Sequence, residues 1–284
     1  RAYTGNYDII ALQNGYHGGS QATMALSSFR TWKHKVPHQH GVVHAPAPDS
    51  YRKPVFEDGV SPGEGHARES ERLIDYGSSG EIAGFFAESI QGMGGAVPLP
   101  SGYLEKVYSI IRARGGLCIA DEVQSGMGRV GSHFWGFETQ GVVPDIVTLA
   151  KGIGNGTPLA AVVTRSEIAQ SMACRHHFNT FGGNPVSCAQ GRAVLRVIRE
   201  EGLQTNAAVQ GERLVAGLNE IFAEHPMVGE IRGQGLMVGI EFVESRQGKQ
   251  PAPALAAAFH EELRALGVLV GRGGLLGNSL RITP

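Results

Sequence analysis

Residues Leu117 to Thr157 read LCIADEVQSGMGRVGSHFWGFETQGVVPDIVTLAKGIGNGT. Two short apolar runs in this stretch decide the fold. Gly116-Leu117-Cys118-Ile119-Ala120 stops at the acids Asp121-Glu122. Pro144-Asp145-Ile146-Val147-Thr148-Leu149-Ala150 stops at Lys151, and the turn Gly152-Ile153-Gly154-Asn155-Gly156 follows at once. A continuous apolar run is the pattern of a strand buried in a parallel sheet. In open α/β sheets, ligands bind beyond the carboxyl ends of the strands. An acid and a base of opposite sign at two such ends can face one ligand from two sides.

A lysine at a strand end, in a partly dry site, loses its proton and attacks a carbonyl as a free amine. A carboxylate beside a pyridine ring keeps the ring nitrogen protonated, so that the ring serves as an electron sink. These are the two demands that pyridoxal phosphate makes of a protein. Taken singly, Asp121 or Lys151 is explained as well by a surface strand cap. For the pair, one member leading into a Gly-rich turn, a ligand site and two surface caps are equally good readings of the pattern alone.

The motif Ala120-Asp121-Glu122-Val123-Gln124-Ser125-Gly126-Met127-Gly128-Arg129, then Pro144-Asp145-Ile146-Val147 and Leu149-Ala150-Lys151-Gly152, resembles the class III (subgroup II) pyridoxal-phosphate aminotransferases. The resemblance spans nearly the whole chain. Gly136-Phe137, Lys151 to Gly156 and His177-Phe178-Asn179-Thr180-Phe181-Gly182-Gly183-Asn184 resemble the mitochondrial members that pair L-alanine with glyoxylate. The implied fold class is α/β: transferase fold type I, a mostly parallel sheet flanked by helices, with a smaller C-terminal α+β domain. The expected division is 1–200 for the large cofactor-binding domain and 201–284 for the small one.

The chain has 284 residues, room for a large and a smaller domain. Its 25 basic and 26 acidic residues balance, which gives no sign of a nucleic-acid partner. Cys118, Cys174 and Cys188 lie far apart and suggest neither a disulfide framework nor a metal site, in keeping with a reducing compartment. No apolar run approaches membrane-spanning length. The chain opens at Arg1 with no Met and no signal segment, and stops at Pro284 inside a motif. The expectation is a piece of a longer protein, without the Ser/Gly-rich loop that helps hold the cofactor phosphate and without the last part of the small domain. The mitochondrial location is implied by the resemblance alone.

Tyr7 to Leu12 reads as a strand, and the loop Gln13 to Ser20 follows it. Glycines beside Tyr16 let the backbone approach a ring ligand; the plainer reading is a turn aromatic packed on its own loop. The resemblance puts Tyr16 and His17 at the cofactor ring face. From Thr31 to Arg68 the chain is polar and rich in His, Pro and Gly, and reads as a variable connection; the spacing of His34, His38, His40 and His44 fits no structural zinc pattern. Residues 69–80 read as a charged helix end and turn. Glu81 to Glu88 reads as a strand ending in an acid, and the resemblance brings Glu88 close to the cofactor and substrate pocket. Tyr103, Leu104, Val107, Tyr108 and Ile111 have helical spacing.

Strand alternation puts Val123 on the face of Asp121, against the cofactor ring or in ordinary core. Gln124 is able to hydrogen-bond a ring oxygen, which the resemblance identifies as the cofactor's phenolic oxygen. Met127 stands where the family usually has an aromatic residue. Leu159 to Thr164 reads as a strand and His176 to Asn184 as a loop. The resemblance has Thr180 reach across a homodimer interface, or one within a dimer of dimers, to the partner's cofactor phosphate. Helices are expected over Pro185–Arg199, Leu203–Glu224 and Ala254–Leu266, a hairpin over Val228–Phe242, and a strand at Val268-Leu269-Val270 before a glycine loop. Arg281, between apolar neighbours in Leu280-Arg281-Ile282-Thr283-Pro284, is a structural ion-pair residue or the fork for a substrate carboxylate; the resemblance selects the fork.

The expected activity is transfer of an amino group from L-alanine to glyoxylate, by ping-pong kinetics on pyridoxal phosphate. The expected partners are those small molecules and a second copy of the chain, with no nucleic acid, membrane or metal. The alternatives are a phospho-lyase acting on an amino-alcohol phosphate, and a chain that keeps the fold without turnover.

Overall fold

The computed structural model describes residues 1–53, 56–57 and 59–284. In chain order the strands and α-helices are β1 (Asp8–Leu12), α1 (Gln21–Leu26), β2 (Val42–Ala45), α2 (Pro62–Gly77), β3 (Ile82–Glu88), β4 (Ile90–Gln91), β5 (Val97–Pro98), α3 (Tyr103–Ala113), β6 (Leu117–Asp121), β7 (Ile146–Leu149), β8 (Ala161–Thr164), α4 (Ser166–Gln170), α5 (Pro185–Glu200), α6 (Leu203–Phe222), β9 (Val228–Gln234), β10 (Met237–Phe242), α7 (Pro253–Ala265), β11 (Gly271–Gly273) and β12 (Ser279–Ile282).

Six strands form the main sheet in the order β2-β1-β3-β6-β7-β8. The first five are parallel, and β8 joins β7 antiparallel. The apolar runs become the central strands because only side chains without polar atoms tolerate burial on both faces. One face is covered by α2 and α3. Ile10, Leu12, Ile82 and Phe85 of the sheet meet Ile74 of α2 and Tyr103, Leu104, Val107 and Ile111 of α3 in one core. The buried Tyr103 hydroxyl and Ser70 Oγ share a hydrogen bond at 2.9 Å, which ties the two helices together. On the other face Leu117 and Ile119 meet Ile168 of α4.

Four antiparallel strands, β11-β12-β10-β9, make a second sheet. Val228, Ile240, Phe242 and Leu280 pack against Ala256 and Phe259 of α7 and Leu218 and Phe222 of α6. This sheet seats on the loop after β4 through glycines. A Cβ at Gly239 would lie 2.2 Å from Gly95 O, nearer than any real contact. Arg232 Nε donates to that same carbonyl at 3.2 Å, and Gly274 N–H donates to Met93 O at 2.8 Å. Arg232 is buried and pairs with Glu230 and Glu241, and Arg52 reaches Glu241 from the far side. Burial alone would raise the Glu241 carboxyl, but the two arginines outweigh it and hold the group below its ordinary range.

Two expectations are corrected. The third small-sheet strand is Gly271–Gly273, not Val268–Val270. Pairing with β12 puts Gly271 opposite Arg281 and Gly273 opposite Ser279, and leaves Leu269 84% exposed. Register with a partner strand overrides the β-propensity of Val-Leu-Val. The stretch Thr31–Arg68 is also more than a connection. It contains β2 and the first turns of α2, where Ser61 Oγ caps Glu64 N–H and Pro62 takes the first helical position. Within it, Pro54, Val55 and Asp58 lie outside the described residues.

Because Gly239 faces backbone rather than a flexible side chain, Gly239→Ala should destabilise the fold by about 1–3 kcal/mol, the usual cost of overpacking. Urea unfolding of the two chains checks this; an unchanged midpoint would mean that the small sheet does not seat on Gly95.

Candidate active site

The main sheet brings two buried carboxylates to one place. Glu88 ends β3 and Asp121 ends β6, and the parallel register makes them direct neighbours. They are 4% and 6% exposed. The loop after β1 crosses the same strand ends. Its His17 Nδ1 lies 2.7 Å from Asp121 Oδ2, and the ring packs edge-on against Phe86 at 5.8 Å. His17 Nε2 is buried with no protein partner among the described residues. Tyr16 N–H donates to Glu88 Oε1 at 3.0 Å, while its ring sits 5.0 Å from that of Trp32. Glu88 Oε2 accepts from Gly92 N–H at 2.9 Å and from Gln124 Nε2 at 3.4 Å. Burial pushes the Glu88 carboxyl up to about 7, and nearby Asp121 adds to the rise; His17 and the N–H groups of Tyr16 and Gly92 oppose it.

The chain turns sharply after Asp121. Asp121 Oδ1 accepts from Val123 N–H at 3.1 Å, so the strand ends before Val123 and alternation does not reach it. This corrects the placement of Val123 by strand period. The turn is held by Glu122, whose carboxylate accepts from Ser89 Oγ (2.7 Å), Ser125 Oγ (3.0 Å), Gly136 N–H (2.7 Å) and Phe137 N–H (3.0 Å). Burial raises the Glu122 carboxyl, against the pull of those donors.

β7 lies beside β6, with Asp121 opposite Thr148. Lys151 follows three residues later, in a 3₁₀ turn and with φ of 50°. That left-handed backbone is uncommon for a side chain of this size. Lys151 is open to solvent on one side, yet the protein around it lowers its proton affinity below the ordinary lysine value by desolvation. Glu88 and Asp121 oppose that shift and Arg281 adds to it. Arg281 therefore lies in the field of the same groups. Burial lowers the proton affinity of its guanidinium as well, with Glu88 opposing. Its stem runs over glycines: a Cβ at Gly273 would stand 2.7 Å from Arg281 Cδ, and Arg281 Nε donates to Arg272 O at 3.3 Å.

Beside Lys151 opens a mainly apolar cavity of about 600 Å³, lined by Val123, Gln124, Met127, Arg129 and Lys151 and by residues of α5 and α6. Arg129 is built into its wall, where Nη1 donates to Leu236 O at 3.3 Å and to Pro284 O at 2.6 Å. Met127 has φ of 67°, between the positive-φ residue Gly128 and the close-packed Gly126. Thr180 stands away from this cluster on an exposed loop, between Phe178 (85% exposed) and Phe181 (80%). So Tyr16, His17, Glu88, Asp121 and Gln124 converge through direct contacts, Lys151 and Arg281 through their fields, and Val123 lines the adjoining cavity. Trp32, Glu122 and Gly92 escaped the sequence reading. The last two had a signal: an acid directly after a buried run, and a glycine directly after Ile90-Gln91.

The arrangement fits a planar pyridine aldehyde. It offers a dry carboxylate for a ring N–H, an amine of lowered proton affinity for the carbonyl, an aromatic ring and an unpartnered imidazole nitrogen. Pyridoxal phosphate has that chemistry. Among the described residues there is no cluster of three or more metal-ligating side chains, and no helix is long and apolar enough to cross a membrane.

Residues 1–284 match the family described as aminotransferase class-III. The chain is 51% identical over 284 residues to alanine–glyoxylate aminotransferase 2 homolog 2, mitochondrial, of Arabidopsis thaliana, covering 100% of this chain and 58% of that protein. It is 44% identical over 311 residues to the Homo sapiens alanine–glyoxylate aminotransferase 2, mitochondrial, covering 59% of it. Among solved structures, a Bacillus anthracis aminotransferase superposes with a TM-score of 0.91 at 34% identity, over 98% of this chain and 65% of that one. A thermostable omega transaminase from Pseudomonas jessenii superposes with a TM-score of 0.89 at 32% identity, over 98% and 63%. The chain thus spans less than two thirds of the relatives that it matches.

Glu88 carries a pH signature. Its carboxyl titrates near 4.5 when unperturbed and at about 7 in the fold. The folded chain therefore binds this proton more tightly, and the stability it brings is present at low pH and lost as pH rises through that window. Glu88→Gln removes the titration. The stability of the cofactor-free wild-type chain relative to Glu88→Gln should fall between about pH 4.5 and 7. Urea midpoints at pH 5 and pH 7.5 test it; parallel changes in the two chains would refute a raised Glu88.

Proposed function

The chain belongs to the class-III aminotransferases, and on that premise we propose that it carries the transaminase site of a pyridoxal-phosphate enzyme that moves the amino group of L-alanine to glyoxylate. The observation that carries the reading is the convergence of a buried, His17-held Asp121 with Lys151, at the ends of adjacent strands. When bound, pyridoxal phosphate supplies an electron sink for the charge left as a substrate Cα–H bond breaks. Asp121 keeps the proton on the ring nitrogen, and His17 holds the carboxylate that does so. Tyr16 offers its ring to one face and Val123 its apolar side chain to the cavity side. Gln124 presents its amide to the phenolic oxygen.

Lys151 Nζ has two tasks. It would hold the cofactor, and as a free amine it would take the proton from the substrate Cα. Its lowered proton affinity suits both, since each needs the free amine. Arg281 binds the substrate carboxylate, with its stem laid over Gly271 and Gly273. One site serving both substrates in turn would give ping-pong kinetics, with pyruvate released before glyoxylate enters. The names of the plant and human relatives support this pair and a mitochondrial setting.

A second copy of the chain belongs to this reading. Phe178, Phe181 and Val186 are exposed, as are Val162 and Val163 of the edge strand β8. Large apolar side chains left exposed in these two stretches support an interface here. The partner's Thr180 would reach the cofactor phosphate with its hydroxyl.

An absorption spectrum tests the chemistry. Added pyridoxal phosphate should give a visible band that L-alanine bleaches and glyoxylate restores, and Lys151→Ala should never develop it. A band that no amino acid moves would exclude transamination by this chain.

The interface has its own test. Phe181→Glu should shift the sedimentation velocity from dimer towards monomer and weaken cofactor binding by about tenfold or more, the effect of losing a charge-assisted phosphate contact. A wild-type chain that sediments as a monomer and binds cofactor fully would overturn the shared site.

A further inference from the structure

On the reading above, we propose that Glu88 is a positioning residue: its carboxylate sets the Gln124 amide and the Tyr16 loop against the cofactor, and touches neither cofactor nor substrate. The argument starts from where its bonds go. Three donors reach this carboxylate from three segments: Tyr16 N–H after β1, Gly92 N–H after β4 and Gln124 Nε2 after β6. An ionised carboxylate offers about four lone-pair directions, so the protein takes most of them. The group is also 4% exposed, closed off by the donors it binds.

Gln124 depends on this contact. Its side chain makes no other hydrogen bond to the protein among the described residues. Above about pH 7, where the Glu88 carboxyl is ionised, it only accepts, so it fixes the amide with Nε2 on the Glu88 side and leaves Oε1 and the second N–H for a ligand. Gly92 reinforces the placement. A Cβ there would stand 2.4 Å from Gln124 Nε2, so only a glycine lets the amide lie against this loop. The Tyr16 ring is set from two sides, by its N–H on Glu88 and by the Trp32 ring behind it. Without the carboxylate, both contacts to a ring ligand lose their anchor at once.

A double-mutant cycle on the dissociation constant of pyridoxal phosphate, read by equilibrium dialysis, tests the assignment. Glu88→Gln turns one acceptor oxygen into a donor, and Gln124→Ala removes the amide. Each should weaken binding by about tenfold, the scale of one charge-assisted hydrogen bond. The double variant should be little weaker than the worse single, because both changes break one path. Single effects that multiply to about a hundredfold would mean that Glu88 acts independently of the Gln124 amide, and would overturn the proposal. Unchanged affinity in Glu88→Gln would overturn it too, since Glu88 would then be only a stabiliser of the fold. If circular dichroism shows Glu88→Gln unfolded, the same cycle is run with Glu88→Asp. That variant keeps the charge but draws it back from Gln124, which already sits at the long end of hydrogen-bond range. A wild-type chain that takes up no cofactor would remove the functional reading and this inference together; a wild-type chain that binds while the cycle is additive would remove the inference alone.

Discussion

Three carboxylates stand out of water at the ends of two adjacent strands: Glu88 on β3, and Asp121 and Glu122 at the end of β6. A buried charge is tolerated only when it is paired and hydrogen-bonded. The loops around these strands supply the partners. The β1 loop gives His17 to Asp121 and the Tyr16 N–H to Glu88. The loop after β4 gives the Gly92 N–H, and the turn after β6 gives the Val123 N–H and the Gln124 amide. Gly136 and Phe137 close on Glu122 from farther along the chain. Each loop conformation here answers to an acid that needs a donor, so the acids shape the site before any ligand arrives.

The small sheet completes the arrangement through close backbone approach. Gly239 against Gly95 brings β10 onto the β4–β5 loop, and Gly271 and Gly273 leave room for the Arg281 stem. This places a second cation in the field of Glu88. Lys151 feels all of it: burial and Arg281 disfavour its charge, while Glu88 and Asp121 favour it. Desolvation is the largest of these influences and sets the direction.

Much of this was legible in the sequence where one local rule governs. The continuous apolar runs gave β3, β6 and β7 with their terminal Glu88 and Asp121, and Lys151 just beyond. The helical spacing of Tyr103 to Ile111 gave the helix that covers them. The sequence reading failed where a distant partner decides. Strand period places Val123 on the face of Asp121, but the Asp121 side chain captures its N–H and ends the strand. Val268-Leu269-Val270 has strand composition, yet β12 pairs with the glycines that follow. The His17–Asp121 contact joins residues 104 positions apart, and no period or propensity encodes it. The capping signal of Ser61-Pro62 was local and present, but a polar, His-rich stretch hid it.

Two groups at the strand ends are pushed away from their ordinary charge states. The buried Glu88 carboxyl is pushed up to about 7, and the proton affinity of Lys151 is pushed down. Both shifts disfavour the charged form, because burial takes water from the charge. The backbone agrees: Lys151 holds φ of 50°, and Met127 on the facing turn holds 67°. Each is a sparsely populated conformation for a non-glycine residue. They persist because the surrounding turns over-determine them, with Gly154 N–H on Lys151 O at 3.0 Å and Gly128 N–H on Phe134 O at 2.9 Å. Positive-φ backbone and perturbed protonation gather at the ends of β3, β6 and β7, and Met127 and Lys151 line one cavity. That coincidence is the physical content of a site whose acid lies dry against the sheet and whose amine stands at the edge of water.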